Sequence, residues 1–253
     1  MPKELQDQTS FPFLELPAEL RNRVYEFCLV DPDPISLISR FKNQHRQVIR
    51  KPCDYAHVLQ DSYRNHRYRQ TGPTARDWLV SHRQLHPALL AVNRQVHEEA
   101  VMYLYSQPIH VEDTTALWTF LSTIGSNRRR IREIHIHGYG VGRGTHRAMN
   151  HVALTTLAEC RSLQHVFFDC WIGGRRSWEQ EPAWHARQLY RDGHLWIETM
   201  GAEKAARVIK LRESRHEHDH VPELSDNSKE MIKQTTVIFS AELEILVMKG
   251  LAR

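Results

Sequence analysis

The sequence has few cysteines and no C-x-x-C pair: Cys28, Cys53, Cys160 and Cys170 are scattered through 253 residues. That spacing argues against a disulfide framework and fits the reduced thiols of a cytoplasmic or nuclear protein. No stretch approaches the ~20 apolar residues that span a bilayer. Residues 1–8 are polar and lack the apolar run of a secretory signal. The expectation is therefore an intracellular protein without a membrane partner. No Ser-His-Asp, Cys-His or paired-carboxylate arrangement is recognisable by spacing. Accordingly no catalytic residue, cofactor or metal ligand is assigned, and a non-enzymatic role is expected.

What is present is the composition of an ordinary globular protein, with 41% hydrophobic and 25% charged residues, enough to build a core. The length suits one large domain or a small helical module joined to a second layer. A net charge of +4 permits nucleic acid as a partner without arguing for it. With 17 histidines, the charge rises substantially below about pH 6.5.

Along the chain, Pro17 suits the first turn of a helix, and Leu20, Val24 and Phe27-Cys28 recur behind it at helical spacing. Glu19, Arg21, Asn22, Arg23 and Glu26 fall mostly elsewhere. Asp31-Pro32-Asp33-Pro34 ends this helix, because proline cannot continue the hydrogen-bond ladder. Residues 40–76 then carry nine Lys or Arg against Asp54 and Asp61, with Tyr55, Tyr63 and Tyr68 interleaved. Their weak apolar periodicity predicts an exposed insertion. His86-Pro87-Ala88 opens a second helical stretch with Leu89, Val92, Val96, Ala100 and Tyr103-Leu104 on one stripe and Glu98 and Glu99 toward the other side.

The rhythm then changes to strands at 109–111, 131–137 and 163–170, alternating with helices at 114–124 and 145–160. Leu117, Phe120, Leu121 and Ile124 are expected inward on the first of these helices. On the second, the inward residues are expected to be Met149, Val152, Ala153, Leu157 and Ala158. Such alternation implies parallel strands joined by right-handed crossovers. The spacing is compatible with a leucine-rich-repeat-like layer, although the L-x-x-L-x-L signature is absent. Helices are expected at 182–191, stopped by Asp192-Gly193, and at 196–211. The stretch 231–251 fits both templates: Ile232, Phe239 and Leu246 suit a helix, while Ala241, Leu243, Ile245 and Val247 alternate. A helix is favoured there.

Two segments together resemble a known family. Leu16-Pro17-Ala18-Glu19-Leu20-Arg21-Asn22-Arg23-Val24-Tyr25 resembles the opening L-P-x-E-L-R-N-x-I-Y of fungal F-box-like proteins. Leu89-Leu90-Ala91-Val92-Asn93-Arg94-Gln95-Val96-His97-Glu98-Glu99-Ala100, running to Leu104-Tyr105-Ser106, resembles their second element. The resemblance implies a helical unit whose apolar face docks the small adaptor subunit of a cullin-type ubiquitin ligase, followed by a region that binds a substrate. By it, Leu16, Pro17, Leu20 and Val24 belong to the partner-facing surface, and Leu90, Val92 and Arg94 match the second element. Residue by residue, the bland alternative is that Leu20, Val24, Val92 and Val96 are helical core.

Other motifs carry less. Gly138-Tyr139-Gly140-Val141-Gly142-Arg143-Gly144 follows a strand and precedes a helix, the context of a phosphate loop, but its spacing fails both standard glycine patterns. His216-Glu217-His218-Asp219-His220 has metal-ligand residue types without a neighbouring cysteine and reads as a polar surface. His135 and His137 share one face of a strand. Arg128-Arg129-Arg130-Ile131-Arg132, with the basic stretch at 40–76, makes the case for nucleic acid, but no nucleic-acid-binding signature accompanies it.

The expected fold is thus α/β: an F-box-like helical unit over 11–107 with a basic insertion at about 40–76, then a small parallel βα layer over 108–253 with a helical carboxy-terminal part. The expected function is a protein–protein adaptor, with a nucleic-acid-binding module or a scaffold unrelated to ubiquitin as the alternatives.

Overall fold

The computed structural model describes residues 11–51, 85–139, 145–169, 182–212 and 226–252. The basic stretch beyond residue 51, Cys53, the loop 140–144, Cys170 and the cluster 216–220 lie outside the described residues. The chain divides into two compact units, residues 1–30 with 84–104 and residues 31–83 with 105–253.

In the first unit, α1 (Ala18–Leu29) follows a 3-10 turn at Phe13–Glu15, and α2 (Arg94–Tyr105) follows another at Pro87–Ala91. Pro17 sits at the N-cap of α1. Asn93 opens α2, its Oδ1 accepting from the Val96 N–H at 2.8 Å, which satisfies one of the donors a helix start leaves open. Tyr25, Leu29, Val96 and Ala100 form the buried core, with Phe13, Cys28, Leu89, Leu90, Tyr103 and Leu104 packed around it. Phe13 meets the Tyr25 ring edge-on at 5.8 Å, and Tyr103 approaches it at 6.0 Å.

This core corrects the expected stripe. The inward face of α1 runs through Arg21, Tyr25, Cys28 and Leu29, whereas Leu20 and Phe27 are 52% and 68% exposed. Val92 is likewise 65% exposed, because it falls between the 3-10 turn and α2 and does not share the phase of Val96 and Ala100.

The second unit is built on a six-stranded sheet of order β2-β1-β3-β4-β5-β6: Ile35–Lys42 (β1), His45–Lys51 (β2), Ile109–Val111 (β3), Glu133–Ile136 (β4), His165–Asp169 (β5) and Ile209–Arg212 (β6). β1 and β2 are antiparallel, and every other neighbour pair is parallel. Residues 40–51, expected in an exposed insertion, instead form the end of β1, the turn and all of β2. Lys42 opposes His45, so the turn holds two residues, and Asn43 and Gln44 have φ of 51° and 61°. Positive φ at both central residues marks the turn whose twist matches paired strands. Asp31, buried at the start of this unit, is paired with Arg50 of β2.

The register aligns Ile35, Ile109, Ile134, Val166 and Ile209 in one row across the sheet, all buried. The helices of this unit are α3 (Thr114–Ile124), α4 (Thr145–Thr156), α5 (Pro182–Met200), α6 (Ala202–Val208) and α7 (Asp226–Leu251). α3 packs on α4, α4 on α5, and α5 on α7. Strands β3 to β6 are added in chain order, and crossovers of one hand then put their helices on one face. The order reverses once, at β1, where the antiparallel hairpin to β2 lies on one side and the parallel strands β3 to β6 extend on the other.

Three further expectations are corrected. α5 continues through Asp192-Gly193 to Met200. Both residues are buried: Asp192 Oδ2 accepts from the Tyr139 hydroxyl at 3.0 Å and Asn150 Nδ2 at 3.3 Å, and a Cβ on Gly193 would lie 3.1 Å from Leu154. The helix expected over 196–211 breaks at Gly201, φ 77°, and its last residues form β6. On α4 Val152 faces outward and Leu154 takes the inward place, and Ala158 is exposed in the 3-10 turn Leu157–Glu159 that follows.

Candidate partner-binding face

The two family-like segments meet through their polar residues. Arg21 donates from Nε and Nη2 to the two carboxylate oxygens of Glu99, each at 2.9 Å. The Tyr25 hydroxyl and Gln95 Nε2 donate to the same carboxylate at 2.9 Å. Arg21 Nη1 reaches back to the carbonyl of Leu16 at 2.6 Å and more weakly to that of Leu14 at 3.3 Å. One guanidinium thus ties α2 to α1 and to the chain entering α1, in the bidentate geometry that makes arginine–carboxylate pairs strong and directional.

The electrostatics follow from this geometry. Donation by Arg21, then by Gln95 and Tyr25, holds the Glu99 carboxyl down at about 2. Burial, reinforced by the Glu99 charge, pushes the Tyr25 phenol up to about 12. The Glu99 hydrogen bond likewise raises the Arg21 guanidinium.

With these groups turned to each other, the expected partner-binding residues separate into distinct places. Leu20 is exposed and Val24 half-buried; with exposed Phe27 they follow i, i+4, i+7 along α1, beside the packed stripe. Pro17 is exposed and Leu16 half-buried. Val92 lines a groove of about 510 Å³ together with Phe11, Phe13, Leu14, Leu89 and Val96. Phe11 is 70% exposed there. Leu90 packs on the core, and its carbonyl meets His97 Nδ1 at 3.0 Å. Arg94 is exposed and paired with Glu98, one turn on, at 2.9 Å. Leu16, Pro17, Leu20 and Val24 do not line the groove.

Sequence reasoning missed Arg21, Tyr25, Gln95 and Glu99. A signal was present: Arg21 lies on the same helical stripe as Tyr25 and Cys28, and a charge on a packed stripe needs a partner. Glu99, adjacent to Ala100, was placed on the far side because its neighbour Glu98 is there.

The histidines of the sheet form a second cluster. Ser36, His110, His135, Phe167 and Lys210 share the row between the buried ones. His135 is buried, stacked on Phe167 at 4.4 Å, 4.2 Å from the His110 ring, and bonded to Glu133 at 2.7 Å. His137 Nε2 lies 3.3 Å from His110 Nδ1. Among the described residues no three metal-ligating groups converge. Cys28 and Cys160 are free thiols, and burial pushes Cys160 up to about 12, the range of an inert core cysteine.

Fold and face together define an α/β protein carrying a small helical pair bound by an arginine–glutamate bridge. The chain belongs to the family described as Domain of unknown function (DUF7730), matched over residues 4–185. No curated protein and no solved structure matches it.

Proposed function

We propose that this protein is a non-catalytic protein–protein adaptor whose F-box-like helical unit docks a partner. In its sharper form, the partner is the small adaptor subunit of a cullin-type ubiquitin ligase, and the protein recruits a substrate to it. The observation that carries this reading is the outward placement of Leu20 and Val92 on a unit whose Arg21, Tyr25, Gln95 and Glu99 are turned to one another. Apolar side chains beside a groove, on a scaffold held rigid by an internal bridge, are what helix-in-groove recognition uses.

The test is direct binding of the purified chain to that adaptor subunit by calorimetry, beside a Leu20→Asp, Val92→Asp variant. Both positions are exposed, so the variant keeps its circular dichroism. Binding by the wild type and a loss of at least tenfold in the folded variant support the proposal. A folded wild type that does not bind removes the ligase reading.

The nucleic-acid alternative rests on residues 40–76 and Arg128–Arg132; the described part of the first, residues 40–51, contains no Asp or Glu, although Arg50 is paired with Asp31. The arginine run offers it less, since Arg128 is paired with Glu159 at 2.8 Å.

A further inference from the structure

Helix α7 carries apolar side chains on two faces, and the fold uses only one. Phe239, Leu243 and Val247 are buried, and α7 packs on α5 and α6. On the other side Ile238, Ile245 and Met248 stay 49%, 48% and 61% exposed. Ala241 is exposed with them, as is Ala252 immediately past the end of α7. Positions 238, 241, 245, 248 and 252 alternate steps of three and four, the a/d repeat of a coiled-coil seam. Val237 and Leu251, also exposed, flank it at g positions.

We propose that this seam pairs with the same seam of a second copy of the chain, as a parallel two-helix contact about a twofold axis. The flanking charges choose the occupant and the direction. Glu242 is engaged by Arg187 of its own chain at 2.7 Å, which leaves exposed Glu244 and Lys249 to set the pairing. Glu244 is a g position and Lys249 the e position five residues on. A parallel pair places Glu244 of each copy beside Lys249 of the other, twice over. The seam is self-complementary, as an isologous contact requires.

Its length, roughly 21 Å at ~1.5 Å per residue, would be marginal for free helices. Here α7 is already folded against α5 and α6, so pairing does not bear the cost of ordering the helix. The proposal does not depend on the adaptor reading, since the seam and the groove share no residue.

The test is sedimentation velocity on the full chain from about 1 to about 100 µM, the range of weak, reversible association. The wild type is expected to move from 29.7 kDa to twice that mass. Ile245→Glu is expected to stay monomeric with unchanged circular dichroism; Met248→Lys serves the same purpose if that variant does not fold. Glu244→Lys and Lys249→Glu should each raise the dissociation constant roughly three- to tenfold, the scale of two exposed ion pairs. Mixed in equal amounts, these two variants should pair again, because each supplies the charge the other lost. Val92→Asp should leave the dimer intact.

A monomeric wild type at the highest concentration overturns the proposal. So does a dimer indifferent to the seam variants, a dimer abolished by Val92→Asp, or a mixture no tighter than its components.

Discussion

Replacing Tyr25 by Phe isolates one bond of the bridge between α1 and α2. The ring is buried, with Phe13 and Tyr103 against it, and Phe keeps those contacts. What is lost is the hydroxyl, which donates to Glu99 at 2.9 Å. A hydrogen bond to a charged acceptor contributes about 1.5–3 kcal/mol. Glu99 keeps its bonds from Arg21 and Gln95, so no acceptor is left bare and the effect should sit at the lower end, about 1.5 kcal/mol. Tyr25→Ala removes the ring as well and should cost about 3–5 kcal/mol, the range for emptying a buried aromatic site.

Native-state hydrogen exchange read on peptides covering residues 18–29 and 94–104 is the suitable assay, because local opening free energies appear there directly. With 1.36 kcal/mol to a factor of ten, exchange should rise about tenfold for Tyr25→Phe and more than a hundredfold for Tyr25→Ala. A change under twofold for Phe would show that the hydroxyl does not help hold the helices. Equal effects of Phe and Ala would show that the ring is not the core of the unit.

The same bridge sets a pH dependence. Glu99 is held at about 2 in the folded chain against an ordinary value of 4.5. Its contribution is fully present above about pH 4.5 and is lost as pH falls toward 2, because there the unfolded chain binds the proton first. Exchange in the first unit should accelerate through that window in the wild type and less steeply in Glu99→Gln; equal slopes would refute the assignment. In the second unit, a Cβ on Gly138 would lie 2.5 Å from the backbone carbonyl oxygen of Glu112, so the backbone must move to admit it. Gly138→Ala should destabilise by about 1–3 kcal/mol in urea unfolding followed by tryptophan fluorescence. An unchanged midpoint would contradict the close approach.

The sequence was most legible where local chemistry and tertiary packing agree. The spacing of Leu117, Phe120, Leu121 and Ile124 places α3 at 114–124, and there the local chemistry agrees: Asp113 caps it, accepting from the Ala116 N–H at 2.7 Å, and Gly125 ends it with φ 57°. The parallel βα alternation was legible for the same reason. It failed where tertiary contacts override local signals. Asp192-Gly193 reads as a helix stop, yet Tyr139 and Asn150 satisfy the carboxylate and Leu154 fills the space beside the glycine. Residues 40–51 read as an exposed insertion because their apolar periodicity is weak, and Asn43-Gln44 is not one of the turn pairs by which a hairpin is recognised.

Helix α7 was ambiguous because its two apolar faces blur the periodicity by which a helix is recognised. At the candidate face, spacing alone cannot tell a stripe that packs from one that faces out. Arg21 stands in place of an apolar residue on the packed side, so the apolar spacing of α1 runs through Leu20 and Val24 instead.

The bridge also has a consequence for synthesis. Arg21 and Glu99 are 78 residues apart in the chain. At ~5–20 residues per second, roughly 4–16 s separate the appearance of the two ends on a ribosome. During that interval α1 exists without α2, and Tyr25 and Leu29 have no core to enter alongside the already outward Leu20 and Phe27. The nascent chain is most adhesive then, and a cellular holdase that recognises apolar helices would meet it at α1. Closure ends that window only once α2 is out of the exit tunnel, so slower translation between these two positions lengthens the time for which the packed face of α1 is uncovered.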